Sequence, residues 1–331
     1  MRRCCSCLHA LVVSRVKDIG IPWIFFLVLI ILSLINPLRF PCIFYDYILE
    51  EDIPFQLESA YYDARKSPSS KMCQAPSTKI HKSIQDLNHS ITEADLEEDM
   101  KRLFVSPGGI GKPQHCKSHF DVAIIVPYRN RSEQLTLFSY YIHRLLVTQE
   151  IEHHLFVVEQ ANEQPFNRAK LLNVGFQEAS KLKDFHCFIF HDVDLIPLNE
   201  GNIYACTRRP RHMSVCIDSM RYTLPYCRIV GGAVAITKRQ FLKINGFSNI
   251  YQGWGGEDDD FYRRLTEIGK FDVIRYDPVV SQYAMLYHPR EEKGENRFQF
   301  TKPKDDGLKT LEYDVLDISL NPAYTKIKVQ I

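Results

Sequence analysis

The sequence predicts an α/β fold on a mixed, mostly parallel sheet, and three observations carry that expectation. The apolar runs VAIIV (122–126), LFVV (155–158) and CFIF (187–190) are continuous rather than alternating, as strands covered on both faces must be. The segment 166–182 places Ala169, Leu172, Phe176 and Ala179 at helical spacing, which gives one apolar stripe to lay on a sheet. Directly after the third run comes Asp192-Val193-Asp194, at the carboxyl end of a strand, where such sheets collect ligands.

The first run is stopped by Pro127, and the stretches SVCI (214–217) and AVAI (233–236) read as further strands. Residues 258–269 read as a helix with Phe261, Leu265 and Ile268 inward and Gly269 ending it. Upstream, residues 36–117 show little sustained periodicity and read as a stem. Asn88-His89-Ser90 is a glycosylation sequon suited to an exposed linker there. Asn130-Arg131-Ser132 also matches, but its place after the first strand makes it a buried ligand loop that stays unmodified.

The chain has 331 residues, 45% hydrophobic and 24% charged, enough for one large domain or two modest ones. Lys+Arg 41 against Asp+Glu 40 leaves a net charge of +1, so there is no polybasic footprint and no nucleic-acid partner is expected. Residues 19–35 (IGIPWIFFLVLIILSLI) carry no charge and approach the length of a bilayer span. Arg2, Arg3, Arg15 and Lys17 precede them while Asp46, Glu50, Glu51 and Asp52 follow, which puts the N-terminus in the cytosol. No small-residue cleavage site follows, so the span reads as an uncleaved, single-pass signal anchor. The expected division is a cytosolic tail at 1–18, a membrane span at 19–35, a luminal stem and N-terminal extension at 36–115, and a folded domain at 116–331.

Cys42, Cys73, Cys116, Cys187, Cys206, Cys216 and Cys227 then fall in an oxidising lumen. Seven is odd, so at least one is free or pairs between chains.

Two acidic motifs carry the chemistry. In an extended segment Asp192 and Asp194 point to the same side and can address a metal and a ribose or phosphate together; a solvated loop is the plainer reading. The run Trp254-Gly255-Gly256-Glu257-Asp258-Asp259-Asp260 joins an aromatic and two hinge residues to four carboxylates whose repulsion must be offset by a cation, a helix N-terminus or a substrate hydroxyl. Arg129 and Arg131 follow the first strand, and Phe166 with Arg168 opens the long helix; such groups grip phosphates and bases, or else form surface ion pairs. His288 lies three residues after Met285, a residue that is more often core filler than ligand.

The strings IIVPYRNR, FNRAKLLNVGF, HDVDLIPLN, RHMSV, LPYCRIVGG, FLKINGF and GWGGEDDDFYRRL resemble the Golgi β-1,4-galactosyltransferases and their invertebrate N-acetylgalactosaminyltransferase relatives. They run collinearly over residues 116–288, with a weaker match through GLKTLEYDVLDI. The resemblance implies a GT-A fold for the domain at 116–331, with Pro127, Arg129, Arg131, Phe166, Arg168, Asp192, Val193, Gly232 and Trp254 around a UDP-sugar. It makes Asp194, Met285 and His288 ligands of Mn²⁺, a Lewis acid for the departing diphosphate. Asp258 would be the base that takes a proton from the 4-hydroxyl of a terminal GlcNAc, inverting the donor carbon. Glu257 would assist it, and an N-terminal helix position would keep it ionised.

By the same resemblance Tyr226, Trp254, Asp259 and Phe298 would contact the acceptor, and the disulfides would be Cys73–Cys116 and Cys187–Cys206. Ile229 stands where galactose-transferring members have Tyr, and the smaller side chain leaves room for a C2 N-acetyl group, which favours UDP-GalNAc over UDP-Gal. The segment 289–294 is shorter than the family's lid, which weakens the acceptor-side assignment. The implied setting is the Golgi membrane, with glycoproteins or glycolipids as acceptors. A catalytically silent, sugar-binding relative is the reading from a different class; the joint presence of Asp194, Met285, His288 and Asp258 speaks against it.

Overall fold

All three apolar runs form neighbouring strands whose alternate residues feed two separate cores. The computed structural model describes residues 45–57, 71–74, 83–84, 86–289, 292–300, 302 and 305–331. Its strands are β1 (Ile110–Gly111), β2 (Asp121–Tyr128), β3 (Glu152–Gln160), β4 (Cys187–His191), β5 (Leu195–Pro197), β6 (Arg211–His212), β7 (Cys216–Ile217), β8 (Ala233–Thr237), β9 (Gln282–Met285), β10 (Asp314–Leu320) and β11 (Thr325–Gln330). The main sheet runs β10-β11-β3-β2-β4-β8-β6, with β1 also on β3, and a small sheet runs β5-β9-β7.

On one face Val122, Ile124, Val126, Leu155, Val157 and Ile189 pack with Leu135, Phe138, Ile142 and Leu146 of the helix Ser132–Thr148. On the other, Ala123, Ile125, Phe156, Val158, Phe188 and Phe190 pack with the expected stripe of the helix Arg168–Leu182. That helix lies unusually close to the sheet: a Cβ on Gly175 would sit 2.2 Å from Ile125 Cγ2. Only glycine fits there.

The sheet is less parallel than expected. Strands β11, β3, β2 and β4 run parallel, whereas β1 on β3, β10 on β11, β8 on β4 and β6 on β8 are antiparallel. A parallel neighbour needs a crossover, which the helices 132–148 and 168–182 supply; β8 is reached through a long loop and β11 by a hairpin. Hydrophobic runs mark strands but carry no sign of direction. The stretch SVCI contributes only Cys216 and Ile217, and these join the small sheet.

Two helical readings change. The expected helix from Asp258 is the helix Glu257–Arg263 continued by a π turn over Arg264–Ile268. Widening the turn rotates the face, so Phe261 and Leu265 are buried but Ile268 is exposed. Within the irregular stretch 36–117 the helix Glu93–Arg102 forms behind a Thr92–Asp95 capping box and docks Leu96 and Met100. Ile48 and Ile53, from the same stretch, also enter the main core.

The disulfides Cys73–Cys116 and Cys187–Cys206 form as expected, and Cys216 is free and buried. Cys227 is disulfide-bonded too. The expected span at 19–35 and the cysteines at 4, 5, 7 and 42 lie outside the described residues; among those described, no helix is long and apolar enough to cross a membrane. Asn88 is exposed, as a sequon must be. Asn130 is exposed as well, contrary to expectation, because it takes a left-handed conformation (φ 51) at the tip of the loop leaving β2.

Candidate active site

Strands β2, β3 and β4 end side by side, so the loops that leave them meet at one edge of the sheet. Arg129 follows β2; its guanidinium lies 5.2 Å from the centre of the Phe166 ring and donates to Gln164 O (2.6 Å). Arg131 donates to Pro289 O (3.4 Å) and Gln134 to Tyr287 O (2.8 Å), which ties this loop to the segment carrying His288. Pro127 is the penultimate residue of β2.

After β4 the chain turns through Asp192, Val193 and Asp194. Asp192 N donates to Gly232 O (3.0 Å), so the loop after β4 touches the glycine pair that precedes β8. Gly232 has φ +81, and a Cβ there would lie 2.3 Å from Ser214 Oγ, so no other residue fits. Arg168, the first residue of its helix, donates from Nε to Asp192 Oδ1 (2.6 Å) and places NH1 3.9 Å from Glu257 Oε1. One guanidinium therefore bridges both acidic motifs.

The metal-ligand candidates converge because β5 and β9 pair antiparallel, with Leu195 opposite Met285 and Leu286 N donating to Asp194 O (2.7 Å). That register brings His288 Nε2 to 2.9 Å from Asp194 Oδ2. Nδ1 of His288 faces Pro289 O at 2.7 Å, an acceptor that keeps a proton on it, so Nε2 is the nitrogen that would turn from its hydrogen bond with the Asp194 carboxylate to a metal. The hydrogen bond that His288 Nε2 donates to Asp194 raises the imidazole's pKa, overcoming partial burial. The carboxylate is a donor that a divalent ion such as Mn²⁺ takes readily, with the imidazole and the softer Met285 thioether as further donors. The single cluster of three His, Cys, Asp or Glu side chains among the described residues, Cys73, Cys116 and Glu150, is spent on a disulfide and holds no metal.

Sequence reasoning missed the support for Met285. Asp218 Oδ1 accepts its backbone N–H (2.9 Å) and Ser219 Oγ donates to its sulfur (3.1 Å). Nothing in SVCIDSM marks these two, because the contact spans the small sheet. His191 was missed as well: its Nδ1 donates to Asp192 O (2.8 Å), and its Nε2 meets the Tyr204 hydroxyl (2.9 Å), which in turn meets that of Tyr283 on β9 (2.9 Å).

The four carboxylates of the second motif have four different fates. Glu257 faces Arg168, and its Oε2 is buried with no hydrogen-bond partner among the described residues. Asp258 Oδ2 accepts from the Tyr226 hydroxyl (3.4 Å) and abuts Gly231, where an added Cβ would lie 3.0 Å away. Asp259 lies beside the same tyrosine, and Asp260 is fully buried against Arg263 (2.8 Å) and Arg264 (2.5 Å).

Position at a helix start was expected to keep Asp258 ionised. Burial, reinforced by Glu257 and Asp259, instead pushes its pKa up to about 7 against the pull of Arg168. Burial, then Asp258 and Asp259 beside it, push the Tyr226 hydroxyl up.

Trp254 is 61% exposed and zipped to the shortened segment: its N donates to Glu292 O (2.7 Å) and its O accepts from Gly294 N (3.0 Å). Gly255 and Gly256 both take left-handed conformations, and Gly256 packs on the backbone of Arg297. Phe298 points into solvent, 78% exposed, beside its neighbour's guanidinium. Ile229 packs with Val215, Cys216 and Leu224.

The sequence profile described as the N-terminal region of glycosyl transferase group 7 matches residues 73–207, and that of the N-terminal domain of galactosyltransferase matches 211–289. Bovine β-1,4-galactosyltransferase 1 is 48% identical over 235 residues, which cover 69% of this chain and 58% of that protein. Chinese hamster β-1,4-galactosyltransferase 4 is 41% identical over 242 residues, covering 71% of this chain and 70% of that protein. The chain thus spans somewhat under two thirds of the bovine relative's length.

Among solved structures, the catalytic domain of Drosophila β-1,4-galactosyltransferase 7 with xylobiose superposes with a TM-score of 0.56 at 30% identity, covering 64% of this chain and 94% of that one. A mutant of the same enzyme in complex with manganese, UDP-Gal and xylobiose gives 0.55 at 28% identity, with the same coverage. The strand-end site and both acidic motifs fall within matched sequence, and the chain belongs to the β-1,4-galactosyltransferase family, glycosyl transferase group 7.

Proposed function

We propose that the protein is a UDP-sugar-dependent, inverting β-1,4-glycosyltransferase that transfers GalNAc to the 4-hydroxyl of a terminal GlcNAc. The observation that carries this reading is the Arg168 bridge, which sets the nucleotide-side Asp192 and the sugar-side Glu257 within reach of one guanidinium. The manganese and UDP-Gal in the Drosophila relative's structure support a metal-bound nucleotide sugar here.

Asp194, Met285 and His288 would hold Mn²⁺, which when bound supplies Lewis-acid stabilisation of the diphosphate leaving group. Arg129, Arg131 and Phe166 hold the nucleotide, with Pro127, Val193 and Gly232 shaping its pocket. Glu257 Oε2, with no hydrogen-bond partner among the described residues, accepts a hydrogen bond from a hydroxyl of the donor sugar. Asp258 takes the acceptor hydroxyl's proton, and a pKa close to the working pH suits a group that must gain and release one. Tyr226 and Asp259 hold the acceptor, Trp254 stacks on it, and Gly255 and Gly256 let that loop move. Phe298, turned to solvent, contributes least.

The donor assignment rests on Ile229, and transfer of galactose from UDP-Gal is the second reading, favoured by the relatives' names. The setting we propose is a single-pass type II Golgi membrane protein with its catalytic domain luminal. Purified full-length protein assayed with Mn²⁺, a GlcNAc acceptor and each UDP-sugar decides the donor. GalNAc transfer no faster than galactose transfer overturns the assignment, and Ile229→Tyr is expected to move preference towards galactose by roughly tenfold or more.

A further inference from the structure

We infer that Arg275 and His212 form a buried clamp that positions the loop 226–232, and with it Ile229, so that the clamp sets how sharply the site discriminates between UDP-sugars by their C2 substituent. The inference rests on the donor reading above. Arg275 is 6% exposed and makes no ion pair with a carboxylate among the described residues. Its guanidinium is spent on backbone: NH2 donates to Cys227 O (2.9 Å) and Ile229 O (3.0 Å), while Nε donates to His212 Nδ1 (3.2 Å).

Proton accounting fixes the next link. A guanidinium only donates, so His212 Nδ1 carries no hydrogen, Nε2 carries it, and that N–H donates to Gly231 O at 3.0 Å. Ser214 Oγ donates to the same carbonyl (3.0 Å) and accepts from Ala233 N (2.8 Å). The carbonyls of Cys227, Ile229 and Gly231, at alternating positions, are therefore all held from one side. Burial together with the Arg275 charge keeps His212 neutral, as this arrangement requires.

Burying a charge with no carboxylate against it is costly, and the Tyr45 ring, its centre 5.7 Å from the guanidinium, offsets that cost in part. What the cost secures is the position of a loop whose far end abuts Asp258 at Gly231 and Asp192 at Gly232. Freed carbonyls would let the Ile229 side chain shift against Val215 and Leu224, blurring the wall that meets the C2 group. Arg275 and His212 touch neither donor nor acceptor; they are positioning residues.

The test compares the full-length wild type with Arg275→Gln and Arg275→Lys, reading kcat/KM for UDP-GalNAc and for UDP-Gal together with amide hydrogen exchange over residues 226–232. Arg275→Gln is expected to move the ratio towards unity by roughly tenfold and to speed exchange in the loop, as opening a buried hydrogen-bonded group would. Arg275→Lys, which keeps the charge but not the planar fork that reaches three acceptors at once, should fall between. Should Arg275→Gln fail to fold, Ser214→Ala, which removes one of two donors to Gly231, carries the same test with a smaller shift. Equal loss with both donors, or unchanged exchange in a folded variant, overturns the clamp. A wild type that prefers UDP-Gal sinks the donor reading instead, because the clamp predicts a change in the ratio and not its starting direction.

Discussion

Asp258 and Asp260 lie two residues apart on one short helix, yet the fold treats them in opposite ways. Asp260 is fully buried and answered by Arg263 and by Arg264, whose guanidinium also reaches Asp306 (3.3 Å). Asp258 is set between two other acids, with a tyrosine hydroxyl, the backbone N–H of Asp259 (3.0 Å) and a glycine surface against it and the Arg168 charge acting on it from a distance. The lesson is that a run of like charges can be divided by the fold, one carboxylate made into a brace and its neighbour left reactive. Compensation is withheld where a proton must move.

Four experiments can break or sharpen this contrast. Asp258→Asn should lower kcat by about 10²–10⁴-fold without lowering the melting temperature; a variant that melts early would place Asp258 in the brace. Asp260→Asn should cost about 3–5 kcal/mol of stability, because it takes the nearest counter-charge from buried Arg264, and unfolding in denaturant checks it. Unchanged stability would dissolve the contrast from the other side.

The third is pH. A base must be ionised, so kcat/KM should rise with pH through about 7. Stability moves the other way: the folded pKa lies above the unfolded value, so the stability this group contributes is complete below the unfolded pKa and is lost as pH rises through the folded one. Opposed pH trends of activity and melting temperature, both flattened in Asp258→Asn, are the expected pattern. The smallest effect belongs to Arg168→Met: with the opposing positive charge gone, the Asp258 carboxyl titrates higher, and the activity limb should shift to more alkaline pH. A limb that stays put would mean Arg168 acts only on Asp192.

Much of this was legible because burial on both faces writes itself into sequence. The runs ending at Val126, Val158 and Phe190, and the stripe from Ala169 to Ala179, needed no partner to be recognised. Strand direction was not legible, since β8 has the same apolar pattern whichever way it runs along β4. Nor was the inward face past Arg263, because the π turn is not marked by any residue type. In the site, the acidic motifs announced themselves, whereas Met285 reads as filler until Asp218 and Ser219 are seen to orient it. His212 and Arg275 stayed hidden for the same reason: one belongs to β6 and the other to the loop before β9, and only folding brings them to a common carbonyl face.

Strand β11 also has a bearing on how the chain is made. It adds parallel to β3 beside residues 156–160, although it lies far downstream in sequence, and Ile327 and Val329 complete the core there. Until it arrives, β3 presents an open apolar edge between finished neighbours, the kind of surface on which partly folded chains stick to one another. The chain therefore exposes that edge until its last strand has docked. Loss of only a few residues from that strand would prolong the exposure and favour aggregation, while leaving every side chain of the active site in place.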